Sequence, residues 1–255
     1  MKDIDLNNFL ISESKHPFSG WNFSYIEDRV VNAPLTWSYT STILPLVRAA
    51  ESLLDMGTGG GEFLASLMPL PKYTCATESY EPNVPIAKKR LETLGVKVYF
   101  FKDKEKLPFK DEKFELIINR HEYYSEKEVY RVLKPNGIFI TQQVGDKNDA
   151  KLRLALTGSE KSENDTEWNL NFAEEKLKAN GFEIVEGQEI INSTRIFDVG
   201  AIVYFLKAIP WELPGFTVEK YYNKLLEIHK LITDKGYLEL ESNNHRFIIK
   251  ARKIK

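Results

Sequence analysis

Residues 53–64 read LLDMGTGGGEFL, which joins an apolar strand, a glycine turn and the start of a helix. Glycine at positions 57, 59 and 61 lets the backbone adopt conformations that a side chain would forbid, and it lets a ligand approach main-chain N–H groups. Position 62 is Glu, so the dinucleotide-binding pattern G-x-G-x-x-G lacks its third glycine. The stretch therefore predicts a loop that holds a nucleotide-like ligand by a different glycine pattern.

Two acids stand where strands of such a fold end. Asp55 lies at the end of the strand before the glycine turn, and Glu78 follows the next apolar run, residues 73–77. Glu78 comes 21 residues after Gly57, where α/β nucleotide-binding folds place a carboxylate that accepts the hydroxyls of a ribose. The spacing predicts a nucleoside site at the carboxyl ends of these strands.

Composition sets limits on partners and on metal binding. The 255 residues include 35 basic and 37 acidic side chains, and the formal net charge of −2 gives no global attraction to phosphate backbones or anionic membranes. The single cysteine, Cys75, excludes an internal disulfide and a multi-cysteine metal site. His16, His229 and His245 are far apart and lack metal-ligand spacing. We therefore predict no metal site.

The first residues, MKDIDLNN, lack the basic start and the apolar run of a secretory signal. No apolar stretch approaches the ~20 residues that are needed to span a bilayer. Together with the lone cysteine, which is consistent with a reducing compartment, these features predict a cytoplasmic protein without a membrane partner.

Apolar runs alternate with helix-like segments from residue 41 to about residue 189, which predicts an α/β fold, a doubly wound and mostly parallel sheet. We predict seven strands, of which the last is antiparallel: Ser52–Met56, Tyr73–Thr77, Val96–Phe101, Phe114–Asn119, Ile138–Val144, Phe182–Glu189 and His245–Lys253. The helices predicted between the strands are Thr42–Ala50, Glu62–Leu67, Val84–Leu94, Glu126–Leu133 and Phe172–Asn180.

Two segments fall outside this alternation. Residues 1–40 are rich in aromatic side chains with prolines between them, so they are expected to form an irregular, packed cap over the ligand cleft. Residues 190–244 are longer than the usual connection and should form a substrate-side insertion, with a helix that Thr217 caps and Gly236 ends. The predicted organisation is cap 1–40, core 41–189, insertion 190–244 and final edge strand 245–255.

The glycine turn, G-x-G-x-G after an acid, resembles motif I of the class I S-adenosylmethionine-dependent methyltransferases. Residues 103–109, DKEKLPF, with residues 114–118, FELII, resemble the family's D-x-E-x-L-P-F block and the strand after it. Residues 131–137, RVLKPNG, resemble its R-V-L-K-P-G-G turn, although Asn136 and Glu115 replace the usual Gly and Asp. The resemblance covers roughly residues 50–145. It implies a Rossmann-like methyltransferase fold with an antiparallel last strand and S-adenosylmethionine as cofactor, to which the helical insertion of residues 190–244 is added before that strand.

The resemblance also implies which residues bind the cofactor. Glu78 would accept the ribose hydroxyls, and Asp103 with the Lys104 amide would face the adenine. Asn119, Arg120 and His121 would lie beneath the methionine part. The full set of expected cofactor-binding residues is Asp55, Gly57, Thr58, Gly59, Gly61, Glu78, Ser79, Asp103, Lys104, Asn119 and Arg120.

His121 and Glu122 follow the fourth core strand at the ligand-binding edge and are the candidates for catalysis. A histidine with a pKa near neutrality accepts a proton from a hydroxyl or amine, yet His121 packing on the cofactor explains its position equally well. The expected substrate-binding residues are Trp37, Tyr39, Gln142, Gln143 and Trp211, for which plain packing or loop contacts are the alternative.

The acceptor of the methyl group stays open. A small molecule, methylated on O or N, is the default, and a base in ribosomal or transfer RNA is the alternative, as in modification or resistance enzymes. A non-catalytic, cofactor-binding scaffold also fits the motifs, since they concern binding alone. A nicotinamide dehydrogenase is disfavoured by Glu62. The expected oligomeric state is monomer or homodimer.

Overall fold

The strand before the glycine turn forms where the sequence predicts it, at Ser52–Met56. The structure, a computed structural model, describes residues 3–18, 21–102, 106–161 and 166–254. Its strands are β1 Val30–Asn32, β2 Ser52–Met56, β3 Tyr73–Glu78, β4 Lys97–Phe100, β5 Phe114–Arg120, β6 Leu133–Val144, β7 Phe182–Ile196 and β8 Leu238–Lys253.

The helices in the described part of the chain agree with the prediction at every position where a helix was expected. They are α1 Asp3–Lys15, α2 Tyr39–Ala49, α3 Glu62–Ser66, α4 Val84–Leu91, α5 Glu126–Val132, α6 Ala150–Thr157, α7 Leu170–Ala179, α8 Val199–Ala208 and α9 Val218–Lys235. None of these helices combines the length and apolar character that a membrane crossing requires.

The sheet has the order β1-β7-β8-β6-β5-β2-β3-β4. The strands β2, β3, β4, β5 and β6 pair in parallel, and β8 pairs antiparallel with β6, so the predicted α/β, doubly wound, mostly parallel sheet is confirmed. The predicted strand number of seven is wrong because the described residues form eight strands. The additional strand, β1, pairs antiparallel with β7 and has three residues, too few to show an alternating pattern.

Two compact units divide the chain. The core unit contains residues 35–145, 167–189 and 246–255, and the second unit contains residues 1–34, 146–166 and 190–245. The two units are defined by contacts between residues. The predicted cap, residues 1–40, and the predicted insertion, residues 190–244, are functional divisions and stay predictions.

In the core unit, the sheet is covered on both faces. Leu54 of β2, Ile117 of β5 and Phe139 of β6 belong to one buried apolar cluster. Their sequence neighbours Leu53, Leu116 and Ile140 belong to another. Successive side chains of a strand point to opposite faces, so apolar residues in succession require cover on both sides. This arrangement fixes the carboxyl ends of β2, β3, β5 and β6 in position.

The second unit has a helical core. Its buried cluster includes Leu6 and Leu10 of α1, Val203 of α8 and Leu225 of α9. The expectation that residues 1–40 are irregular is wrong for α1, where leucines four residues apart share one helix face. The helix predicted in residues 190–244 is α9: the Thr217 hydroxyl accepts a bond from the Lys220 amide, and Gly236 ends the helix at φ +85°.

Candidate cofactor and active site

The glycine turn connects β2 to α3 in the core unit. The amides of Gly57 and Thr58 both donate to the Thr77 carbonyl, at 3.0 and 2.9 Å, which anchors the turn to β3. Gly57, Gly59 and Gly61 have φ of +72°, +62° and +82°, conformations that favour glycine. A Cβ at Gly61 would lie 2.7 Å from Leu91 Cγ, so the third glycine lets α3 pack against α4.

The Glu78 carboxylate lies at the end of β3 and is buried, at 4 % exposure. One oxygen accepts a hydrogen bond from the Gly59 amide at 2.6 Å, and the other accepts one from the Tyr80 amide at 2.7 Å. Burial raises the pKa of Glu78, and these backbone donors act in the opposite direction. Each carboxylate oxygen accepts more than one bond, so this fixed group retains acceptor capacity at the glycine turn.

Asp55 is buried at the end of β2. Burial raises its pKa to about 6, the negative charge of Glu78 acts in the same direction, and Thr58 and Arg120 partly offset both. A carboxyl group with this pKa is partly protonated near neutral pH.

A network of buried amides joins the ends of β5 and β6. Asn119 Oδ1 accepts hydrogen bonds from Thr141 Oγ1 at 2.8 Å and from Gln143 Nε2 at 2.7 Å. Gln143 Nε2 also donates to the Glu122 carbonyl at 3.1 Å, and the Tyr39 hydroxyl donates to the Asn119 carbonyl at 3.1 Å. Asn119 Nδ2 is buried and makes no hydrogen bond within the described residues.

His121 belongs to a second set of side chains that contact one another. Trp37 Nε1 donates to Gln142 Oε1 at 2.8 Å, and Gln142 Nε2 lies 3.1 Å from His121 Nε2. Desolvation by burial lowers the pKa of His121 to about 3, and the positive charges of Arg246 and Arg120 act in the same direction. The lowered pKa keeps the imidazole neutral.

Glu122 lies against the glycine turn. A Cβ at Gly57 would overlap Glu122 Cβ and lie 2.6 Å from its Cγ, and Glu122 Oε1 is 3.4 Å from Ser79 Oγ. A cavity of about 30 Å³ opens here, lined in part by Gly57, Ser79, Leu107, Glu122 and Tyr124. The Tyr124 hydroxyl is buried without a hydrogen-bond partner in the described part of the chain.

The Arg120 guanidinium lies over an aromatic ring. Its Cζ is 4.3 Å from the centroid of Phe63 and 6.0 Å from that of Tyr39. Within the described residues, Arg120 makes no ion pair with a carboxylate. Its charge acts on the buried Asp55 without pairing with it, and it can also attract an anionic ligand at this edge of the sheet.

The structure brings together most of the residues that the sequence predicts. The core unit contains, at the carboxyl edge of its sheet, Trp37, Tyr39, Asp55, Gly57, Thr58, Gly59, Gly61, Glu78, Ser79, Asn119, Arg120, His121, Glu122, Gln142 and Gln143. Asp103 and Lys104 lie outside the described residues. Trp211 belongs to the second unit, where it is 54 % exposed and its ring lies 5.7 Å from that of Trp21.

Three residues near the site did not emerge from the sequence. The ring of Phe63 lies under the Arg120 guanidinium, the charge of Arg246 lowers the pKa of His121, and Tyr124 lines the cavity. Tyr124 stands in the run 119–124 that predicts a site, so an aromatic hydroxyl there was the available signal. Among the residues that the structure describes, no group of three His, Cys, Asp or Glu side chains is arranged to hold a metal ion.

The fold and the site define a class of protein: an α/β protein with a Rossmann-like sheet and a glycine turn beside an acid at the end of the next strand. Within this class, residues 54–141 match a family model described as methyltransferase domain. The predicted resemblance to the class I S-adenosylmethionine-dependent methyltransferases is confirmed over residues 54–141, about a third of the chain, and the fold is the Rossmann-like methyltransferase fold.

Solved structures are similar in fold at low sequence identity. A protein from Bacillus halodurans C-125 that is named as a candidate methyltransferase is 19% identical, with a TM-score of 0.58 over 86% of this chain and 100% of that chain. The YcgJ protein from Bacillus subtilis is 16% identical, with a TM-score of 0.56 over 84% and 97%. The [4+2]-cyclase SpnF is 17% identical, with a TM-score of 0.53 over 99% and 93%. At such identities the likeness shows the fold alone. No curated protein matches the chain.

Proposed function

We propose that this protein is an S-adenosylmethionine-dependent methyltransferase, of the EC 2.1.1 type, that transfers a methyl group to an O or N of a small molecule. One observation carries the proposal. The Glu78 carboxylate is buried and held by two backbone amides beside a turn of positive-φ glycines, a combination suited to a ribose diol. In an α/β fold, this carboxyl edge of the sheet is where ligands bind.

Other groups at this edge fit the same cofactor. Buried polar groups in native proteins are nearly always hydrogen-bonded, so Asn119 Nδ2 and the Tyr124 hydroxyl call for a partner. S-adenosylmethionine is rich in hydrogen-bond acceptors, whereas both of these groups can donate. Asp55, Thr58 and Ser79 complete the set of side chains that we assign to its binding. When bound, the cofactor supplies the methyl group together with its own leaving group.

Glu122 has a specific part in this proposal. Ligand pockets for molecules of this size measure about 300–1,000 Å³, and the cavity beside Gly57 measures about 30 Å³. The Glu122 side chain is one of its walls and contacts Gly57. We therefore expect Glu122 to turn away from Gly57 when a nucleoside enters.

A small-molecule acceptor is favoured over RNA because the formal net charge of −2 offers no general attraction to a phosphate backbone. Trp37, Tyr39, Gln142 and Gln143 are the side chains of the core unit that we assign to acceptor binding. The expectation for Trp211, which belongs to the second unit, stays a prediction. The buried, free Cys75 is compatible with the cytoplasmic location that belongs to the proposal.

Calorimetry tests the cofactor assignment. S-adenosylmethionine and S-adenosylhomocysteine are titrated into the wild type, into Glu78→Gln and into the control Glu81→Gln, which changes an exposed acid three residues later. We expect Glu78→Gln to lose at least tenfold in affinity for both ligands and Glu81→Gln to match the wild type. Wild-type protein that binds neither ligand would refute the proposal, and equal affinities in all three proteins would refute the role of Glu78.

Labelling tests the transfer itself. The pure protein is incubated with methyl-labelled S-adenosylmethionine and with separate small-molecule and RNA fractions of a cell extract. We expect label in the small-molecule fraction. Label in RNA would favour the base-methyltransferase alternative, and tight binding with no transfer to either fraction would favour the scaffold.

A further inference from the structure

The hydrogen bond between Trp37 and Gln142 fixes the orientation of the Gln142 amide. An indole N–H can only donate, so the atom of Gln142 that lies 2.8 Å from Trp37 Nε1 must be the carbonyl oxygen. The NH₂ group of Gln142 is therefore the one that lies 3.1 Å from His121 Nε2. The usual ambiguity between the two ends of an amide side chain is removed here by chemistry.

The fixed amide in turn selects the tautomer of His121. An amide NH₂ can only donate, so His121 Nε2 must be the acceptor and must carry a lone pair. A neutral imidazole with a lone pair on Nε2 carries its proton on Nδ1. Protonation of Nε2 would place two donors face to face at 3.1 Å.

The backbone also holds the histidine. His121 has φ +61°, and its amide donates to the Gln142 carbonyl at 2.8 Å, directly after β5 ends. Such a conformation is uncommon for a residue other than glycine and persists where the surroundings determine it. Main-chain and side-chain contacts to the same partner, Gln142, thus fix the position of the ring.

The charges around His121 are positive. Arg120 precedes it on β5, Arg246 belongs to β8, and both lower its pKa, while Arg120 also acts on the buried carboxyl group of Asp55. The nearest acid in the chain, Glu122, has its side chain against Gly57 and Ser79. A proton on Nε2 is therefore opposed both by the Gln142 donor and by two cations, whereas an anionic ligand is favoured.

We propose that His121 acts as a fixed hydrogen-bond donor, through Nδ1–H, to an oxygen of an anionic small molecule, and that it does not act as a general base. Nδ1 has no protein partner within the described residues, and the side chain is exposed. Arg120, which makes no ion pair in the same part of the chain, supplies the charge that selects an anion.

That this anion is the methyl acceptor rests on the proposed function. An ionised oxygen has already released its proton, so its lone pair can form the O–C bond as the S–C bond of the cofactor breaks and the bonding pair stays on sulfur. The step releases no proton, which accounts for a histidine whose basic nitrogen is occupied by Gln142.

Nuclear magnetic resonance tests the tautomer without any enzymatic activity. Long-range ¹H–¹⁵N correlations report which nitrogen of each histidine is protonated, and His121→Gln assigns the His121 signals among the four histidines. We expect the Nδ1–H form from pH 5 to pH 8, with no titration. Trp37→Phe frees the Gln142 amide and should change the tautomer ratio, whereas Trp21→Phe removes an exposed indole of the second unit and should not. An Nε2–H form, or titration near pH 6.5, overturns the proposal.

Four simple probes test the ligand class on the same signals. Benzoate and phenyl phosphate carry the two common oxyanions, benzamide is a neutral analogue, and benzylamine is a cation. We expect one of the oxyanions to shift the His121 signals at millimolar concentration, and His121→Gln to weaken its binding at least fivefold. Which oxyanion binds distinguishes a carboxylate ligand from a phosphate ester. Equal shifts with benzamide or benzylamine, or no shift with either oxyanion, overturn the ligand class. Failure of the proposed function gives a different result from failure of this inference. If only the proposed function fails, the protein binds no S-adenosylmethionine, but the His121 signals behave as expected.

Discussion

The side chain of Glu122 lies across the α-carbon of Gly57, so a methyl group at position 57 would overlap Glu122 Cβ and lie 2.6 Å from Cγ. Gly57 follows β2 and Glu122 follows β5, and these strands are parallel neighbours with Met56 opposite Asn119. Their carboxyl ends therefore meet at one edge of the sheet. Position 57 requires glycine for two separate reasons, the backbone conformation at φ +72° and the space that Glu122 occupies.

Alanine at two glycine positions separates these reasons. Gly59 has φ +62°, but a Cβ there would have no atom within 4 Å, so Gly59→Ala should cost only the backbone strain, about 1–2 kcal/mol. Gly57→Ala should cost about 1–3 kcal/mol more because of the overlap with Glu122. Urea unfolding of both variants measures the difference. Equal free energies of unfolding would show that Glu122 moves aside at no cost.

Replacement of Glu122 by glutamine should change how the protein distinguishes two related ligands. On the proposed function, Glu122 turns away from Gly57 to admit the cofactor, and its carboxylate, which stays at the edge of the site, favours the sulfonium of S-adenosylmethionine over neutral S-adenosylhomocysteine. Glu122→Gln should therefore lower the ratio of the two affinities by about three- to tenfold, an effect of roughly 1 kcal/mol. Calorimetry with both ligands gives the ratio, and Glu81→Gln is the control. An unchanged ratio would place the Glu122 charge away from the sulfonium.

The fold could be predicted where apolar patterning was clear and could not where polar side chains fill the interior. β2 matches its predicted bounds because all five of its residues are buried. By contrast, β7 extends to Ile196 and β8 begins at Leu238, well beyond their predicted bounds. There, inward positions hold Asn192, Thr194 and Asn244, which are satisfied by hydrogen bonds such as Asn244 Nδ2 to Asn192 Oδ1 at 2.7 Å. Residues 238–241, LELE, do alternate, but the polar run 242–245, SNNH, interrupts the pattern before the predicted strand begins.

Some features of the site could likewise be predicted from the sequence and others could not. The glycine turn and Glu78 could be predicted because their chemistry depends on short, local spacing. Trp37, His121 and Gln142 could each be proposed as site residues, but their mutual hydrogen bonds depend on three segments that only the sheet brings together. The tautomer of His121 follows from those bonds, so no pattern of residues along the chain contains it.

Asp55→Asn should stabilise the protein above pH 6. Burial raises the folded-state pKa of Asp55 from 3.8 to about 6, so the stability that its protonated form contributes is complete below pH 3.8 and is lost as the pH rises through about 6. At about 1.4 kcal/mol per pKa unit, asparagine should raise the free energy of unfolding at pH 7.5 by roughly 1–3 kcal/mol. The gain should disappear toward pH 4.

Urea unfolding at several pH values measures this gain in the free energy of unfolding, and Asp28→Asn, at an exposed position, is the control. A constant gain at all pH values would mean that ionisation of Asp55 is not its cause.

In the second unit, Asp198 has two functions that a pair of variants can separate. Its carboxylate accepts bonds from Arg29 Nε at 2.5 Å and from Arg29 Nη2 at 2.7 Å, and it caps α8 by accepting a bond from the Ala201 amide at 3.1 Å. Glu13, buried on α1, lies 3.1 Å from Arg29 Nη1. If Asp198 is replaced, Glu13 is the one of these two carboxylates that stays paired with the guanidinium.

Asparagine at position 198 keeps a good helix cap but loses the charged pair, whereas alanine loses both. We expect Asp198→Asn to lower the free energy of unfolding by about 1–2 kcal/mol and Asp198→Ala to lower it by about 1 kcal/mol more. High salt should reduce the first effect and leave the second unchanged, because only the first depends on charge. Urea unfolding at low and high salt measures both. Equal free energies of unfolding for the two variants would mean that the cap contributes nothing. A free energy of unfolding of Asp198→Asn equal to that of the wild type would mean that the charged pair with Arg29 contributes nothing.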